Sequence, residues 1–159
     1  MPRITIRPAT PDDVELVAAL IHALAEYEQL AHECRATPDA LREQLFGAQP
    51  AAECLIGELD GVARGFALHF TSFSTFLCKP GLWLEDLFVV PEARGAGLGK
   101  ALLVELARIA VARGCGRLEW NVLDWNAPAI GFYRALGARP MEDWTTMRVD
   151  GETLAALAR

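Results

Sequence analysis

Three glycines, Gly95, Gly97 and Gly99, alternate with other residues in a turn that begins at Arg94 and ends at Lys100. The turn lies between an apolar stretch and a helical pattern. Backbone N–H groups in the first turn of a helix have no partner within the helix, and the aligned peptide dipoles place about half a positive charge there. Glycine has no Cβ, so a ligand can approach its backbone closely. The turn therefore predicts an anion site suited to a pyrophosphate.

The spacing disfavours two common nucleotide motifs. A phosphate loop of the form Gly-x-x-x-x-Gly-Lys-Ser/Thr needs a hydroxyl residue after the lysine, but Ala101 follows Lys100 and Arg94 occupies the first glycine position. A dinucleotide fingerprint needs Gly-x-Gly-x-x-Gly and an acidic residue for the ribose, and this run lies far from the N-terminus without one. Neither an ATPase nor a dinucleotide-binding protein is expected.

A second group of residues could bind a cation. Glu28 follows Tyr27 at the C-terminal end of a predicted helix, where the helix dipole disfavours a carboxylate. Glu85 and Asp86 lie inside an apolar strand with opposite facings, so at least one is expected on a covered side. Buried carboxylates are costly unless paired, and a cationic amine would be a suitable partner. The alternative, a solvated Glu28 and a hydrogen-bonded structural Asp86, stays open.

Charge and composition exclude several classes of protein. The net charge is −6, and residues 1–60 carry 11 acidic and 4 basic residues, whereas residues 91–117 carry 2 and 5. A nucleic-acid groove needs broad positive charge, and a membrane span needs about 20 apolar residues. The four cysteines and three histidines do not have the spacing of metal ligands. We therefore expect a cytoplasmic protein with reduced thiols, no metal, no nucleic-acid partner and no membrane segment.

Strands alternate with helices along one expected domain, residues 1–159. The two-residue signal Asp60-Gly61 predicts a tight hairpin. Early antiparallel hairpins followed by strand–helix–strand units indicate an α+β fold with helices on both faces of the sheet. Strands are expected at 4–7, 52–59, 62–73, 82–90, 117–123 and 140–149, and helices after Pro11, after Thr37, and at 98–113 and 126–136.

The run Arg94–Gly99, after a strand ending in Asp86–Pro91, resembles the pyrophosphate-binding motif of the GNAT superfamily of acyl-CoA-dependent N-acetyltransferases. Residues 126–138 resemble that superfamily's second motif. The segments Glu26–Glu28, Leu84–Asp86 and Trp125-Asn126 are similar to the diamine (spermidine/spermine) acetyltransferase family, whose bacterial relatives act on polyamines or on lysine-like amines such as thialysine. The similarity covers nearly the whole chain. It is weakest at 72–80, a loop that would border the acceptor pocket, so the amine stays open.

This resemblance implies a mixed, largely antiparallel sheet of about six to seven strands, with a splayed central strand near 87–90. It also implies acetyl-CoA as the cofactor and a homodimer. Main-chain N–H groups of the splayed strand would bind the pantetheine and the thioester oxygen. The glycine turn would hold the pyrophosphate, and residues of the second motif would also contact the cofactor. The cofactor residues are expected to be Leu87, Phe88, Val89, Arg94, Gly95, Ala96, Gly97, Leu98, Gly99, Lys100, Asn126, Pro128 and Ala129.

Catalytic roles follow from the same resemblance. Tyr133 is the expected general acid for the departing thiolate, because a phenol is protonated at pH 7 and can donate its proton. Asn126 lies seven residues earlier, on the same helix face. Tyr27, Glu28, Glu85 and Asp86 are expected to bind the amine, and Glu85 is the candidate base, although any of the three carboxylates could accept the proton. Two alternatives are a protein or peptide N-acetyltransferase and a non-catalytic acyl-CoA-binding module.

Overall fold

The computed structural model describes every residue, Met1–Arg159, and the chain divides into two compact units, Met1–Asn121 and Val122–Arg159. The units are described separately. The expectation of one domain over residues 1–159 stays a prediction. None of the helices combines the length and apolar character required to cross a membrane.

The first unit contains one five-stranded sheet and three α-helices. The strands lie in chain order across the sheet; β1 to β4 pair antiparallel, and β5 pairs parallel with β4. The mixed, largely antiparallel sheet is therefore confirmed. The strands are β1 (Ile4–Pro8), β2 (Glu53–Leu59), β3 (Val62–Ser74), β4 (Lys79–Val89) and β5 (Leu118–Trp120), and the helices are α1 (Val14–Tyr27), α2 (Pro38–Phe46) and α3 (Leu98–Ala112). Single 3-10 turns occupy Pro11–Asp13, Ala31–Glu33 and Pro91–Ala93.

Local sequence signals account for two of the boundaries in this unit. Asp60 and Gly61 both adopt positive φ, 51° and 81°, which confirms the tight hairpin between β2 and β3. Helix α2 begins after Thr37, whose hydroxyl accepts a hydrogen bond from the Ala40 N–H at 3.2 Å. Pro38 occupies the first turn, where its missing N–H leaves no bond unmade.

Helices cover both faces of the sheet, as predicted. On one face, α1 and α2 form an apolar cluster with alternate residues of the strands: Val14, Val17, Leu20, Leu24, Leu41, Leu45, Ile56, Phe66, Leu68 and Phe88. On the other face, α3 lies so close to β2 that a Cβ on Gly57 would be 2.9 Å from Leu98 Cδ1. Burial of these two layers of side chains is the main force that holds the unit together.

The predicted number of strands, six to seven, is wrong. Residues 140–149 form no strand, and the strand expected at 117–123 is reduced to β5. A strand needs a neighbour for its backbone N–H and C=O groups, and no strand of the chain pairs with 140–149. The second unit instead contains two helices, α4 (Ala127–Ala135), which was predicted, and α5 (Gly151–Leu157), which was not.

Candidate active site

A β-bulge at Glu85 sets the geometry of strand β4. Leu68 of β3 pairs with Asp86 and His69 pairs with Leu84, so Glu85 is an extra residue without an opposite partner. The extra residue shifts the alternation of side chains by one position. Asp86 lies on the same face as Phe88, two residues later, which packs against α1 and α2.

The bulge places Glu85 on this same face. Trp83 pairs directly with Phe70, which follows Phe66 and Leu68 at two-residue steps on β3 and so faces α1. The Trp83 indole Nε1–H donates a hydrogen bond to Glu85 Oε2 at 3.0 Å. The prediction that Glu85 and Asp86 face opposite sides is therefore wrong. It holds for a regular strand, whereas the extra residue of the bulge brings the two adjacent carboxylates to one side.

Glu28 joins these two carboxylates from helix α1. It is the C-cap residue of the helix, as predicted. Burial, and then the negative charges of Glu85 and Glu28, raise the pKa of Asp86 to about 6. Burial and the charge of Glu85 likewise raise the pKa of Glu28. No arginine or lysine is among the causes of either shift, so the three carboxylates lie within electrostatic range of one another without an ion-paired protein cation.

This cluster is not arranged for a metal ion. The chain contains no group of three or more histidine, cysteine, aspartate or glutamate side chains with the geometry to hold one. The charge of Glu85 raises the pKa of both Glu28 and Asp86, so the carboxylates lie close together. This arrangement suits a larger cation that is bound by several hydrogen bonds rather than by chelation.

Tyr27, the fourth predicted acceptor residue, lies beside the cluster and contacts Arg94. The Arg94 guanidinium carbon lies 5.0 Å from the centroid of the Tyr27 ring and 5.5 Å from that of Phe88. Its Nε–H donates to the Val89 carbonyl oxygen at 3.0 Å. Arg94 therefore connects the glycine turn to the end of α1 through cation–π contacts.

One edge of β4 is open next to the cluster. The parallel ladder with β5 ends at Leu84 and Trp120, and no strand continues it beyond that point. The Val90 N–H donates to the Arg64 carbonyl oxygen of β3 at 2.9 Å. Because successive backbone N–H groups of a strand point to opposite sides, the N–H groups of Leu87 and Val89 point away from β3, toward the open side. The predicted splay near 87–90 is confirmed, and the separation begins at Glu85.

The glycine turn follows this open edge directly. Gly95 and Gly97 have φ values of 89° and 90°, a conformation that glycine adopts without strain. The Ala101 N–H donates the first hydrogen bond of α3, to the Gly97 carbonyl oxygen at 3.0 Å. The three preceding N–H groups therefore have no partner within the helix. A Cβ on Gly99 would lie 3.8 Å from Val89 Cγ2, which places the helix start beside the end of β4.

These features fit the predicted cofactor residues of the first unit. The open strand edge, at Leu87, Phe88 and Val89, leads to the N-terminus of α3, at Leu98, Gly99 and Lys100, with Ala96 between the two left-handed glycines. The donors are main-chain groups, and the positive end of the α3 dipole lies at the turn. Lys100 and Gly97 also line a groove of about 460 Å³ between β1 and α3.

The remaining predicted residues belong to the second unit. Asn126 is buried and caps α4, where its Oδ1 accepts a hydrogen bond from the Ala129 N–H at 3.4 Å. Pro128 lies in the first turn of the helix. Tyr133 is half-buried, and its ring centroid is 5.5 Å from that of Phe132. The expected capping role of Asn126 is confirmed, and the cofactor and catalytic roles of this group stay predictions.

Sequence reasoning missed Trp83. The available signal was its position two residues before Glu85 in a predicted strand, a spacing that places two side chains on one face. The bulge itself gave no local signal, because an extra residue is recognised only from the pairing of two strands.

The chain is similar to several known proteins. Residues 17–138 match the sequence model described as "Acetyltransferase (GNAT) family". The chain is 36% identical to the thialysine N-epsilon-acetyltransferase of Bos taurus over 98% of this chain and 97% of that protein. It is 32% identical to the L-ornithine N5-acetyltransferase of Arabidopsis thaliana, over 96% and 86%. A solved integron cassette protein from the V. cholerae mobile metagenome superimposes with a TM-score of 0.81 at 26% identity, over 98% of each chain.

Proposed function

Because this chain belongs to the GNAT acetyltransferase family and is an N-acetyltransferase, we propose that it transfers the acetyl group of acetyl-CoA to a primary amine of a small cationic acceptor. The acceptor class is a polyamine or diamine, or a lysine-like amine such as thialysine. The observation that carries this proposal is the group of three carboxylates without an ion-paired protein cation, beside the open edge of β4.

Electrostatics supports a cationic acceptor. Each of the two shifted carboxylates has its charged form disfavoured by burial and by a like charge, and an ammonium group would relieve both effects. Two relatives have names that specify thialysine and L-ornithine, which are amino acids with a second, side-chain amine. An acceptor with more than one positive charge would match a site with three negative ones.

Main-chain donors support the cofactor assignment. When bound, acetyl-CoA supplies an acetyl group activated as a thioester. The first-turn N–H groups of α3 would hold the pyrophosphate, and Lys100 would add positive charge. The N–H groups of Leu87 and Val89 would bind the pantetheine and polarise the thioester oxygen, where one preorganised donor is worth roughly 10²–10³ in rate.

Three proton transfers would accompany the reaction. The acceptor ammonium would lose one proton, through water, to a carboxylate of the cluster, and the free amine would form the new C–N bond as the C–S bond of the thioester breaks. The amide nitrogen would lose a second proton, which replaces the one that Tyr133 gives to the thiolate, so that one proton overall leaves through the carboxylate. Glu85 is the candidate base predicted from the sequence, and Asp86, with a pKa of about 6, is a second candidate in the range suited to a general base. Tyr133 would donate its proton to the thiolate, as the resemblance implies.

The experiment that tests the function is thiol release from acetyl-CoA with a panel of polyamines, thialysine, ornithine, aminoglycosides and lysine peptides. We expect the highest kcat/KM for a small amine with at least two positive charges. Peptides that outcompete spermidine and thialysine would favour a protein acetyltransferase. Tight cofactor binding by calorimetry, without thiol release for any amine, would favour a binding module.

The role of Tyr133 has its own test. Tyr133→Phe should lower kcat while calorimetry shows an unchanged affinity for coenzyme A, because the variant lacks only the proton donor. Unchanged turnover at every pH would remove Tyr133 from the mechanism. We also propose, from the resemblance, a homodimer, which light scattering of the purified protein would test, and, from the cysteine pattern, a cytoplasmic location.

A further inference from the structure

We propose that Trp83 is a positioning residue, which holds the Glu85 carboxylate in place for the acceptor's ammonium group. This inference rests on the proposed acetyltransferase function. Its geometric basis is the hydrogen bond of 3.0 Å from the Trp83 indole Nε1–H to Glu85 Oε2. Residues two apart on a strand face the same side, so the two side chains meet without any distortion of the chain.

The hydrogen bond restricts a side chain that would otherwise move freely. Glu85 is exposed at the bulge, and a long acidic side chain in water samples many rotamers. The indole N–H can only donate, so the contact orients one carboxylate oxygen and leaves Oε1 able to accept from a ligand. Preorganisation of this kind improves affinity because less side-chain freedom is lost on binding.

Trp83 is itself fixed by its neighbour on the next strand. It pairs directly with Phe70 of β3, and the two ring centroids are 6.5 Å apart with an interplanar angle of 33°. Such cross-strand aromatic pairs stabilise a sheet. The indole therefore has a defined position from which to orient Glu85.

The need for such a residue follows from the bulge. Two adjacent carboxylates on one face repel each other, and Glu28 adds a third negative charge. Glu85 would move away from Asp86 into solvent if nothing held it. The indole hydrogen bond opposes that movement and keeps the negative charges convergent.

Trp83→Phe provides the sharpest test, because it retains an aromatic ring against Phe70 and deletes only the N–H. We expect the KM for the best diamine to rise about tenfold, the effect of one hydrogen bond to a charged group. The kcat and the KM for acetyl-CoA should stay within about twofold of wild type. Phe70→Leu is the matched control, since it weakens the ring pair but keeps the N–H: it should lower stability and leave the diamine KM nearly unchanged.

A double-mutant cycle separates positioning from packing. In a Glu85→Gln background, Trp83→Phe should have little further effect on the diamine affinity measured by calorimetry, because the charged acceptor of the hydrogen bond is already lost. Equal effects of Trp83→Phe in both backgrounds would overturn the inference. An active wild-type enzyme whose Trp83→Phe variant has an unchanged diamine KM would overturn it as well, without affecting the proposed function.

A measurement that needs no activity covers the opposite case, in which the proposed function fails. The Trp83 indole N–H resonance, identified by its absence in Trp83→Phe, should shift in Glu85→Gln and on titration of wild type with spermidine. The absence of both shifts would overturn the inference, whichever reaction the protein catalyses.

Discussion

Two groups of carboxylates in the first unit face opposite electrostatic situations. Arg7 donates to both oxygens of Asp13, at 2.8 and 2.9 Å, and these two bonds lower the pKa of Asp13 to about 2. Arg7 also donates to Glu58 at 2.8 Å. The group on the α1 face of β4 has no such cation, and the pKa of Asp86 is raised to about 6. The difference is that the Arg7 hydrogen bonds outweigh the effect of burial on the pKa of Asp13, whereas burial and two like charges act together on the pKa of Asp86.

The two groups therefore have different roles. A partly buried carboxylate with a bidentate arginine is satisfied and contributes to the fold. A carboxylate cluster without a cation lowers stability, and such strained arrangements are typical of binding and catalytic sites. A cationic ligand would supply to Glu28, Glu85 and Asp86 the positive charge that Arg7 supplies to Asp13.

The largest expected effect is on catalysis by Asp86→Asn. We expect kcat/KM for a diamine to fall by about 10²-fold or more, the usual contribution of a general acid or base. Stability near pH 7 should rise slightly, because a disfavoured charge is removed. Asp12→Asn, at an exposed acid, is the matched control. Unchanged kinetics in Asp86→Asn would place Asp86 among structural acids.

Arg7→Gln tests the other side of the comparison. It leaves the Asp13 carboxylate largely buried without its partner, so we expect the free energy of unfolding to fall by about 2–3 kcal/mol. The kcat/KM of the folded enzyme should not change. Urea denaturation measures the loss, with Arg3→Gln, at an exposed arginine just before β1, as the control. A loss below about 0.5 kcal/mol would show that the ion pair contributes little.

The two groups should give opposite slopes of stability against pH. The low pKa of Asp13, about 2 against an ordinary 3.8, gives stability that is present above pH 4 and is lost as the pH falls toward 2. The raised pKa of Asp86, about 6, makes the unfolding free energy fall as the pH rises from 4 to 6.

Each slope should correspond to about 2–3 kcal/mol over its range. The slope at low pH should disappear in Asp13→Asn, and the slope between pH 4 and 6 should become shallower in Asp86→Asn, where Glu28, whose pKa is also raised, still contributes. Urea midpoints measured between pH 2 and pH 7 test both. A saturating diamine should flatten the Asp86 slope, because it stabilises the charged carboxylates. If Asp86→Asn retains the wild-type slope between pH 4 and 6, another group titrates there.

The smallest effect is expected at a third ion pair, which is exposed and so tests how much burial adds to the contribution of an ion pair. Arg113 donates to both oxygens of Glu53 at 2.7 and 2.8 Å and lowers its pKa, yet the two side chains are 42% and 50% exposed. Exposed pairs contribute little, so Arg113→Gln should lower the unfolding free energy by less than about 1 kcal/mol. A loss above 2 kcal/mol would mean that the buried His69, 3.8 Å from Glu53, depends on this pair.

Features that depend on neighbours in the chain could be predicted from the sequence. The Asp60-Gly61 hairpin, the Thr37 cap and the left-handed glycines before α3 all follow from the conformations that individual residues adopt. The motif resemblance identified the family for a similar reason, since a pyrophosphate turn needs small residues at fixed spacing.

Features that depend on pairing between distant segments could not be predicted. The bulge that brings Glu85 and Asp86 to one face exists only in the register of β4 against β3, and the Arg94 contact with Tyr27 joins residues far apart in the chain. Residues 140–149 were expected to form the last strand and form none, because no other strand pairs with them. Local conformational preference therefore determined which residues could do chemistry, and hydrogen bonding between strands decided which of them meet.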